Sequence, residues 1–339
     1  MKKFLFVLVI LFLLLICCGV SIGGLYLVGK EILNYSGVNE NITFEYYSGN
    51  NLSKDKILLI KINGIIIDTR DQVTGLFSSG YIYGYEIKDT LYKAAEDDSI
   101  KGVLMLINSG GGTVLGSRAI VDGIDYYKDQ TKKPVYAYIQ GFSASGAYMV
   151  TSACDYVISD YGSLTGSIGV IFGTPFQYYD KVTSQGNSSD YVVTQNGIET
   201  FYISAGEYKD MGNPYRKMSS EELASLQENI NNEYNKFVEL VSNNRSISQA
   251  KIKNEIKALI YGNDKAKLLN LIDEEGTYEY SMTKLLEKVG ISDYQVITTK
   301  TDSFWSSLLY TYSNPDQTKL KNQLQNRVLM IYGDPFLYE

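Results

Sequence analysis

The chain has 339 residues, of which 45% are hydrophobic and 20% are charged, a composition typical of a folded globular protein. Its formal net charge of −7 argues against nucleic-acid binding, which depends on a basic surface. The sequence contains no histidine, so a Ser-His-Asp triad, a Cys-His pair and His-bearing metal sites are excluded. A hydrolase built from this sequence has to activate its nucleophile with lysine, a carboxylate or a metal held by oxygen ligands.

The three cysteines do not form a disulfide framework. Cys17 and Cys18 lie inside an apolar run, which leaves Cys154 alone in the remaining sequence. Zinc and iron sites of the usual ligand types need several cysteines or histidines. We therefore expect neither a metal nor another cofactor.

The first predicted element is a membrane helix. Lys2 and Lys3 precede an uncharged run at 4–28. As a helix, about 25 residues extend about 37 Å, enough to cross a hydrocarbon core about 30 Å thick. A cleaved signal peptide is the alternative, with a small-x-small site at 21–23, but the apolar pattern continues beyond that site. We expect a retained single-pass anchor at 1–30, with a cytoplasmic N-terminus and the rest of the chain outside the cytoplasm.

A polar spacer, predicted at 31–55, leads into alternating strands and helices. Apolar runs predict four strands, and helical spacing predicts helices between them: strands at 56–68, 102–108, 134–139 and 156–159, and helices at 85–96, 114–128 and from about Ser145. This order predicts an α/β domain at 56–280 with a largely parallel sheet and crossover helices.

The second half of the chain carries a long amphipathic helix and an extension. Ser219 and Glu222 form a capping-box pattern, and apolar residues follow at helical spacing from Leu223 to Val241. Residues 281–339 are predicted to be a C-terminal extension that ends in an apolar, aromatic tail at 328–338.

Two motifs follow predicted strands directly. The glycine turn at 109–112 (Ser-Gly-Gly-Gly) lets the backbone approach a ligand, as an oxyanion hole requires, or is simply a flexible turn. No Gly-Lys-Ser/Thr follows, which disfavours a nucleotide P-loop. Ser145, within 144–146 (Ala-Ser-Gly), is placed to expose its hydroxyl at the start of a helix. The alternative is an ordinary N-cap serine, and the spacing is not that of a Gly-x-Ser-x-Gly elbow.

Two further motifs complete the candidate set. Ser167 lies in 165–170 (Thr-Gly-Ser-Ile-Gly-Val), which alone predicts only a turn that enters a strand. Lys209 lies in 206–210 (Gly-Glu-Tyr-Lys-Asp), and a lone lysine is usually a solvated surface charge.

In this order, and in a chain without histidine, the four motifs resemble the signal peptide peptidase A family over about 56–275. The resemblance implies a Clp-protease/crotonase-like fold with a repeated β-β-α core, preceded by one transmembrane helix. It also implies Ser145 as nucleophile, Lys209 as general base and Ser167 as the residue that orients the lysine. By analogy with the Clp proteolytic subunit, the backbone N–H groups of Gly111 and Gly146 would form the oxyanion hole.

The sequence departs from the family pattern at three places. Gly110 stands where the family usually has proline, Ser204 stands where a basic residue is common, and 183–190 has the polar composition of a loop insertion. A lysine in water has a pKa of about 10.4, so a lysine base has to lose its charge through burial. Asp210 would oppose this loss if it faced the amine. In an extended segment neighbouring side chains point apart, which would spare the lysine.

The resemblance implies a membrane-bound serine endopeptidase that cuts cleaved signal peptides, and other apolar peptide segments, by an acyl-enzyme mechanism. In short members of the family it implies a homo-oligomer whose active site is shared between subunits. The tail at 328–338 is a candidate to lie in or near the substrate groove and to be trimmed there, or else packs on the surface. Two alternatives remain: a related membrane peptidase for other membrane-protein fragments, and a catalytically silent crotonase-like scaffold.

Overall fold

The computed structural model describes most of the chain beyond the predicted anchor: residues 42–69, 80–173 and 205–300, and short strands at 184–185, 192–193 and 328–331. Thr43–Glu339 forms one compact unit. The predicted anchor at 4–28 and Ser204 lie outside the described residues. Within the described ranges, no helix has both the length and the apolar character needed to cross a bilayer.

Nine strands form the main sheet: β1 (Phe44–Gly49), β2 (Lys56–Asn63), β5 (Ile100–Ser109), β7 (Val135–Ala144), β8 (Tyr156–Ser159), β9 (Leu164–Gly166), β13 (Ile260–Gly262), β14 (Glu274–Glu275) and β15 (Gln295–Thr299). Their order is β1-β15-β2-β5-β7-β8-β14, with β9 paired to β7 and β13 to β9. The strands from β15 to β14 pair in parallel, while β1 and β13 are antiparallel to their neighbours. The predicted largely parallel sheet is confirmed.

Five short strands form a second sheet: β3 (Ile65–Ile67), β4 (Tyr81–Tyr83), β6 (Gly111–Thr113), β10 (Ile171–Phe172) and β16 (Val328–Ile331). Their order is β10-β16-β6-β3-β4, so β6 lies between β16 and β3. Two further strands, β11 (Ser184–Gln185) and β12 (Val192–Val193), pair with each other.

Helices connect the strands and cover both faces of the main sheet: α1 (Gly84–Ala95), α2 (Val114–Thr131), α3 (Gly146–Ser152), α4 (Ser220–Arg245), α5 (Gln249–Lys251, continued by a π-helix at Ile252–Ile256), α6 (Asn263–Leu268) and α7 (Tyr278–Val289). The alternating side chains of β2 divide between the two faces. Leu58 and Ile60 join the apolar cluster that includes α1 and α2, while Ile57 and Leu59 join the cluster that includes α7. Burial on both faces explains why β2 is a continuous apolar run.

The structure differs from the sequence prediction in two places. The strand predicted at 56–68 is two strands in two sheets, separated at Gly64, whose φ is +127°. A Cβ at this position would lie 2.2 Å from the Gly80 carbonyl oxygen, so only glycine fits the turn. In addition, β1 comes from the predicted spacer and β15 from the predicted extension, and both belong to the main sheet.

Candidate active site

Ser145 occupies a sharp turn between a buried strand and a buried helix. β7 runs five residues past the predicted end at 139, as far as Ala144, and α3 begins at Gly146. The Ser145 backbone has φ 55° and ψ −120°, a combination that residues with a side chain rarely adopt. Such strain persists only where the surrounding structure holds it, and it resembles the strained strand-to-helix turn that presents nucleophilic serines.

Backbone hydrogen bonds tie the Ser145 turn to the Ser167 turn. The Ser145 N–H donates to the Gly166 carbonyl at 2.9 Å, and the Ser167 N–H donates to the Leu259 carbonyl at 2.7 Å. Ser167 also has a positive φ of 55°. These bonds bring two of the predicted site residues, Ser145 and Ser167, to the same end of the sheet.

The hydroxyl groups of Ser143 and Ser145 differ in their surroundings. The Ser143 hydroxyl is fully buried and forms a 2.7 Å hydrogen bond with the Thr151 hydroxyl. The Ser145 side chain, with the residue 1% exposed, has only a 3.5 Å contact from its hydroxyl to the Gly169 carbonyl among the described residues. A 3.5 Å contact is weak, so this hydroxyl is free to act on another group. The geometry favours Ser145 over Ser143 as the reactive serine.

The glycine turn forms β6, beside α3. β6 packs so closely on β3 that a Cβ at Gly112 would lie 1.8 Å from the Ile66 carbonyl oxygen. The Gly111 N–H donates to the Ser109 hydroxyl at 3.1 Å, so this predicted oxyanion donor already has a partner. Gly146 is the first residue of α3, and the first N–H groups of a helix have no partner within it.

A buried carboxylate that the sequence interpretation missed holds β6 in place. The Thr113 hydroxyl donates a short hydrogen bond to Asp68, which is 4% exposed, and accepts one from the Gly116 N–H at 3.1 Å. Thr113 is therefore both the last residue of β6 and the N-cap of α2. The two residues lie 45 positions apart, and no short motif connects them.

β16, the described part of the predicted tail, lies against the glycine turn. β16 pairs antiparallel with β6, with Ile331 opposite Gly111, and its other edge pairs with β10. It also contacts α3, the helix that starts next to Ser145. The backbone of Val328–Ile331 therefore occupies the strand position beside the predicted oxyanion-hole glycine.

Lys209 forms no hydrogen bond or ion pair with these groups in the part of the chain that the structure describes. It is exposed, within a series of turns at 206–212, and its side chain makes no hydrogen bond or ion pair with the described residues. The segment is not extended. Tyr208 has a positive φ of 63°, and the Lys209 N–H donates to the Gly206 carbonyl at 3.3 Å. The structure does not bring Lys209 to Ser145 through any described contact.

An ion-pair network fixes the residue after Lys209. Arg216 makes two hydrogen bonds to Asp210, of 2.7 and 2.9 Å, and two to Glu222, of 2.6 and 2.8 Å. The Arg216 guanidinium lowers the pKa of Asp210 and the pKa of Glu222 to about 2 each. Glu222 also completes the predicted capping box with Ser219, which is confirmed. Nothing in the sequence interpretation pointed to Arg216.

Cys154 is not a candidate nucleophile. Burial raises the pKa of the Cys154 thiol to about 12, so it stays protonated and inert. Among the described ranges there is also no cluster of three or more Cys, Asp or Glu side chains that could hold a metal ion. The reactive groups that the described residues bring together here are serine hydroxyls and backbone amides.

Comparison with known proteins identifies the family. Residues 127–292 match the model of peptidase family S49. A protein of Methanocaldococcus jannaschii that bears the name of a protease is 33% identical over 88% of this chain and 86% of its own. A protein of Enterococcus faecium that bears the name of signal peptide peptidase SppA is 29% identical over 74% and 69%. Protease 4 of Haemophilus influenzae is 26% identical over 68% of this chain and 34% of its own.

Proposed function

Because the chain belongs to peptidase family S49 and is a serine peptidase, we propose that Ser145 is its nucleophile and Lys209 its general base. The observation that carries the proposal is the strained, buried turn of Ser145 with its weakly engaged hydroxyl. A histidine-free serine peptidase needs another base, and Lys209 is the lysine that fits the family pattern.

In this mechanism the neutral Lys209 amine takes the proton of the Ser145 hydroxyl as the serine oxygen attacks the peptide carbonyl carbon. The N–H groups of Gly111 and Gly146 stabilise the negative charge on the carbonyl oxygen, and Gly111 exchanges its bond to Ser109 for one to the substrate. The protonated lysine then gives its proton to the leaving amine. Water, activated by the same amine, hydrolyses the acyl-enzyme. The Ser167 hydroxyl orients Lys209 throughout.

The exposure of Lys209 supports a site completed by assembly. A lysine base has to lose its charge, and a subunit interface supplies the required dry surroundings only once formed. We therefore propose a homo-oligomer in which Ser145 of one subunit meets Lys209 of a neighbour. In this arrangement an isolated subunit has an exposed Lys209 and little hydrolytic activity.

The proposed substrates are cleaved signal peptides, cut within their apolar segments. The position of β16 supports an extended substrate backbone that pairs antiparallel with β6. The proposed enzyme has a Clp-protease/crotonase-like core and is held in the cell membrane by a helix at 4–28, with the catalytic domain outside the cytoplasm. Neither a cofactor nor nucleic acid takes part.

The test is covalent labelling of the purified full-length protein with a serine-reactive phosphonate. We expect one adduct per chain, located by mass spectrometry at Ser145 and absent from Ser145→Ala. Ser143→Ala is the matched control, since its hydroxyl only bonds Thr151, and it should label at the wild-type stoichiometry. Label on Ser143, or the same label on Ser145→Ala, would overturn the assignment. No label on an assembled oligomer would favour the silent-scaffold alternative.

A further inference from the structure

The turn that carries Lys209 is attached on both sides to the first turn of α4. On one side, the Tyr208 hydroxyl donates a 2.5 Å hydrogen bond to Glu221. On the other, Asp210 is joined through Arg216 to Glu222. Lys209 lies between these two attachments, with its own side chain exposed and unpaired among the described residues. The position of the lysine is therefore determined through its neighbours.

Arg216 is the centre of this arrangement. Its guanidinium is planar and binds two carboxylates at once, with a pair of hydrogen bonds to each. One of the two, Glu222, has a fully buried side chain and accepts a further bond from the Ser219 N–H at 2.8 Å. Arg216 thus connects the turn that carries Lys209 to the buried Glu222 carboxylate in the first turn of α4.

The same guanidinium also compensates the charge next to Lys209. Charged groups around the lysine come from two elements: Glu207, Asp210, Arg216 and Lys217 from its own turns, and Glu221 and Glu222 from α4. Glu221 accepts the Tyr208 hydroxyl, and Arg216 binds the other α4 carboxylate and Asp210. An uncompensated carboxylate beside an amine favours its protonated form, which is the wrong form for a base.

We propose that Arg216 is a positioning residue for Lys209: it anchors the lysine turn on α4 and neutralises Asp210, so that the amine can act as base. The proposal rests on the proposed function of Lys209. It extends that function to residues that touch neither the substrate nor the serine, and it explains how an aspartate can follow the base directly in sequence.

Substitutions of Arg216 distinguish its two proposed roles, which are to anchor the lysine turn on α4 and to neutralise Asp210. In the full-length protein, Arg216→Gln should lower kcat about tenfold and move the pH of half-maximal activity upward by about one pH unit. The double variant Asp210→Asn/Arg216→Gln should return that pH most of the way to the wild-type value, because the carboxylate next to Lys209 is gone and only Glu222 is left without Arg216. Arg216→Lys keeps the charge but not the paired geometry, so it should lower kcat at unchanged KM without moving the pH.

Arg245→Gln is the matched control for Arg216→Gln. Arg245 makes a similar two-bond pair with Asp273, 3.0 Å for each bond, at the other end of α4. Its loss should lower the melting temperature and leave the pH of half-maximal activity unchanged. A purely structural role for Arg216 predicts the same behaviour for Arg216→Gln, and a wild-type pH curve for that variant would overturn the proposal.

Two further results distinguish a failure of the Lys209 assignment from a failure of the Arg216 proposal. If Lys209→Ala is active, the proposed base is wrong and Arg216 has nothing to position. If Lys209→Ala is inactive while Arg216→Gln has wild-type kcat and pH dependence, only the role of Arg216 is wrong. Should Arg216→Gln fail to fold, Arg216→Lys decides: a fall in kcat at unchanged KM supports the proposal, and a wild-type kcat overturns it.

Discussion

The serine side and the lysine side of the candidate site are held by different forces. The serine side, around Ser145 and Ser167, consists of buried strand ends joined by backbone hydrogen bonds. The lysine side, at 205–216, is a partly exposed turn held by hydrogen bonds and partly buried ion pairs to the start of α4. Burial and backbone bonds are insensitive to ionic strength, whereas ion pairs are weakened by salt to the extent that water reaches them.

This difference indicates which part of the site a single subunit can complete. The strain at Ser145 is held within the folded chain, by the Gly166 carbonyl and the close packing around β7. α4 buries Glu222 near its start and then only Phe237, Val238 and Val241 in its second half, while Leu223 is 52% exposed. The lysine side therefore presents polar and apolar surface that a neighbouring subunit can cover.

Mixed oligomers test the comparison most strongly. Ser145→Ala and Lys209→Ala should each lose activity by about 10³-fold or more. Co-assembled, they should regain part of it, because some interfaces then pair an intact serine with an intact lysine. Activity is measured on an apolar fluorogenic peptide after assembly is verified by native mass spectrometry. Inactive mixed oligomers, or a fully active monomer, would place both residues in one subunit.

On the serine side, Gly112→Ala should be damaging. The added methyl group would lie 1.8 Å from the Ile66 carbonyl, so β6 has to move away from β3. We expect a loss of about 1–3 kcal/mol in the free energy of unfolding and a large fall in kcat. Gly262→Ala is the control, since nothing lies within 4 Å of its added Cβ. If the two variants have equal denaturation midpoints and equal kcat values, the packing described for β6 is contradicted.

Removal of the tail should raise activity. A chain that ends at residue 327 lacks β16, and the strand position beside β6 becomes free for an added peptide. We expect kcat/KM to rise severalfold, mainly through a lower KM. Met330→Pro keeps the length but disrupts strand pairing, and should act in the same direction. An unchanged or lower kcat/KM in both variants would show that β16 does not compete with the substrate.

The smallest expected effect is on how the stability of the protein changes at acidic pH. Arg216 holds the pKa of Glu222 at about 2, below the ordinary value of 4.5, so the charged form is favoured in the folded state. The stability that this carboxylate contributes is complete above about pH 4.5 and is lost as the pH falls towards 2. The melting temperature of Glu222→Gln should therefore be lower than wild type at pH 7 and approach it below pH 4. Glu221→Gln should show a smaller difference at pH 7, because the Glu221 carboxylate accepts only the Tyr208 hydroxyl, to which the glutamine amide oxygen can still bind.

The sequence predicted the parts of the molecule that depend on local pattern. The strand at 156–159, the helices that flank β5 and the capping box at Ser219 all follow from residues within one or two turns of each other. The local pattern placed Ser145 at the start of a helix, and the resemblance carried by the four motifs together singled it out as the candidate nucleophile. These features need no knowledge of distant contacts.

What the sequence left out depends on residues far apart in the chain. The break at Gly64 is caused by the approach of Gly80, and β16 reaches β6 from more than two hundred residues away. Arg216 lies close to both of its partners in sequence, yet arginines near carboxylates are common on surfaces, and the pattern alone does not select this one. The turns at 206–212 bring Asp210 to the start of α4, where Arg216 binds both Asp210 and Glu222.

β16 belongs to the same chain as β6, the strand with which it pairs. Its effective concentration at β6 is therefore set by the chain that connects the two strands. A tethered segment meets its binding position at an effective concentration that is often millimolar and does not fall when the protein is diluted. A free peptide in dilute solution competes poorly against such a neighbour. A peptide confined to the plane of a membrane is itself concentrated, and can compete on more equal terms. The tail would thus make the enzyme discriminate by where a peptide is found as well as by its sequence.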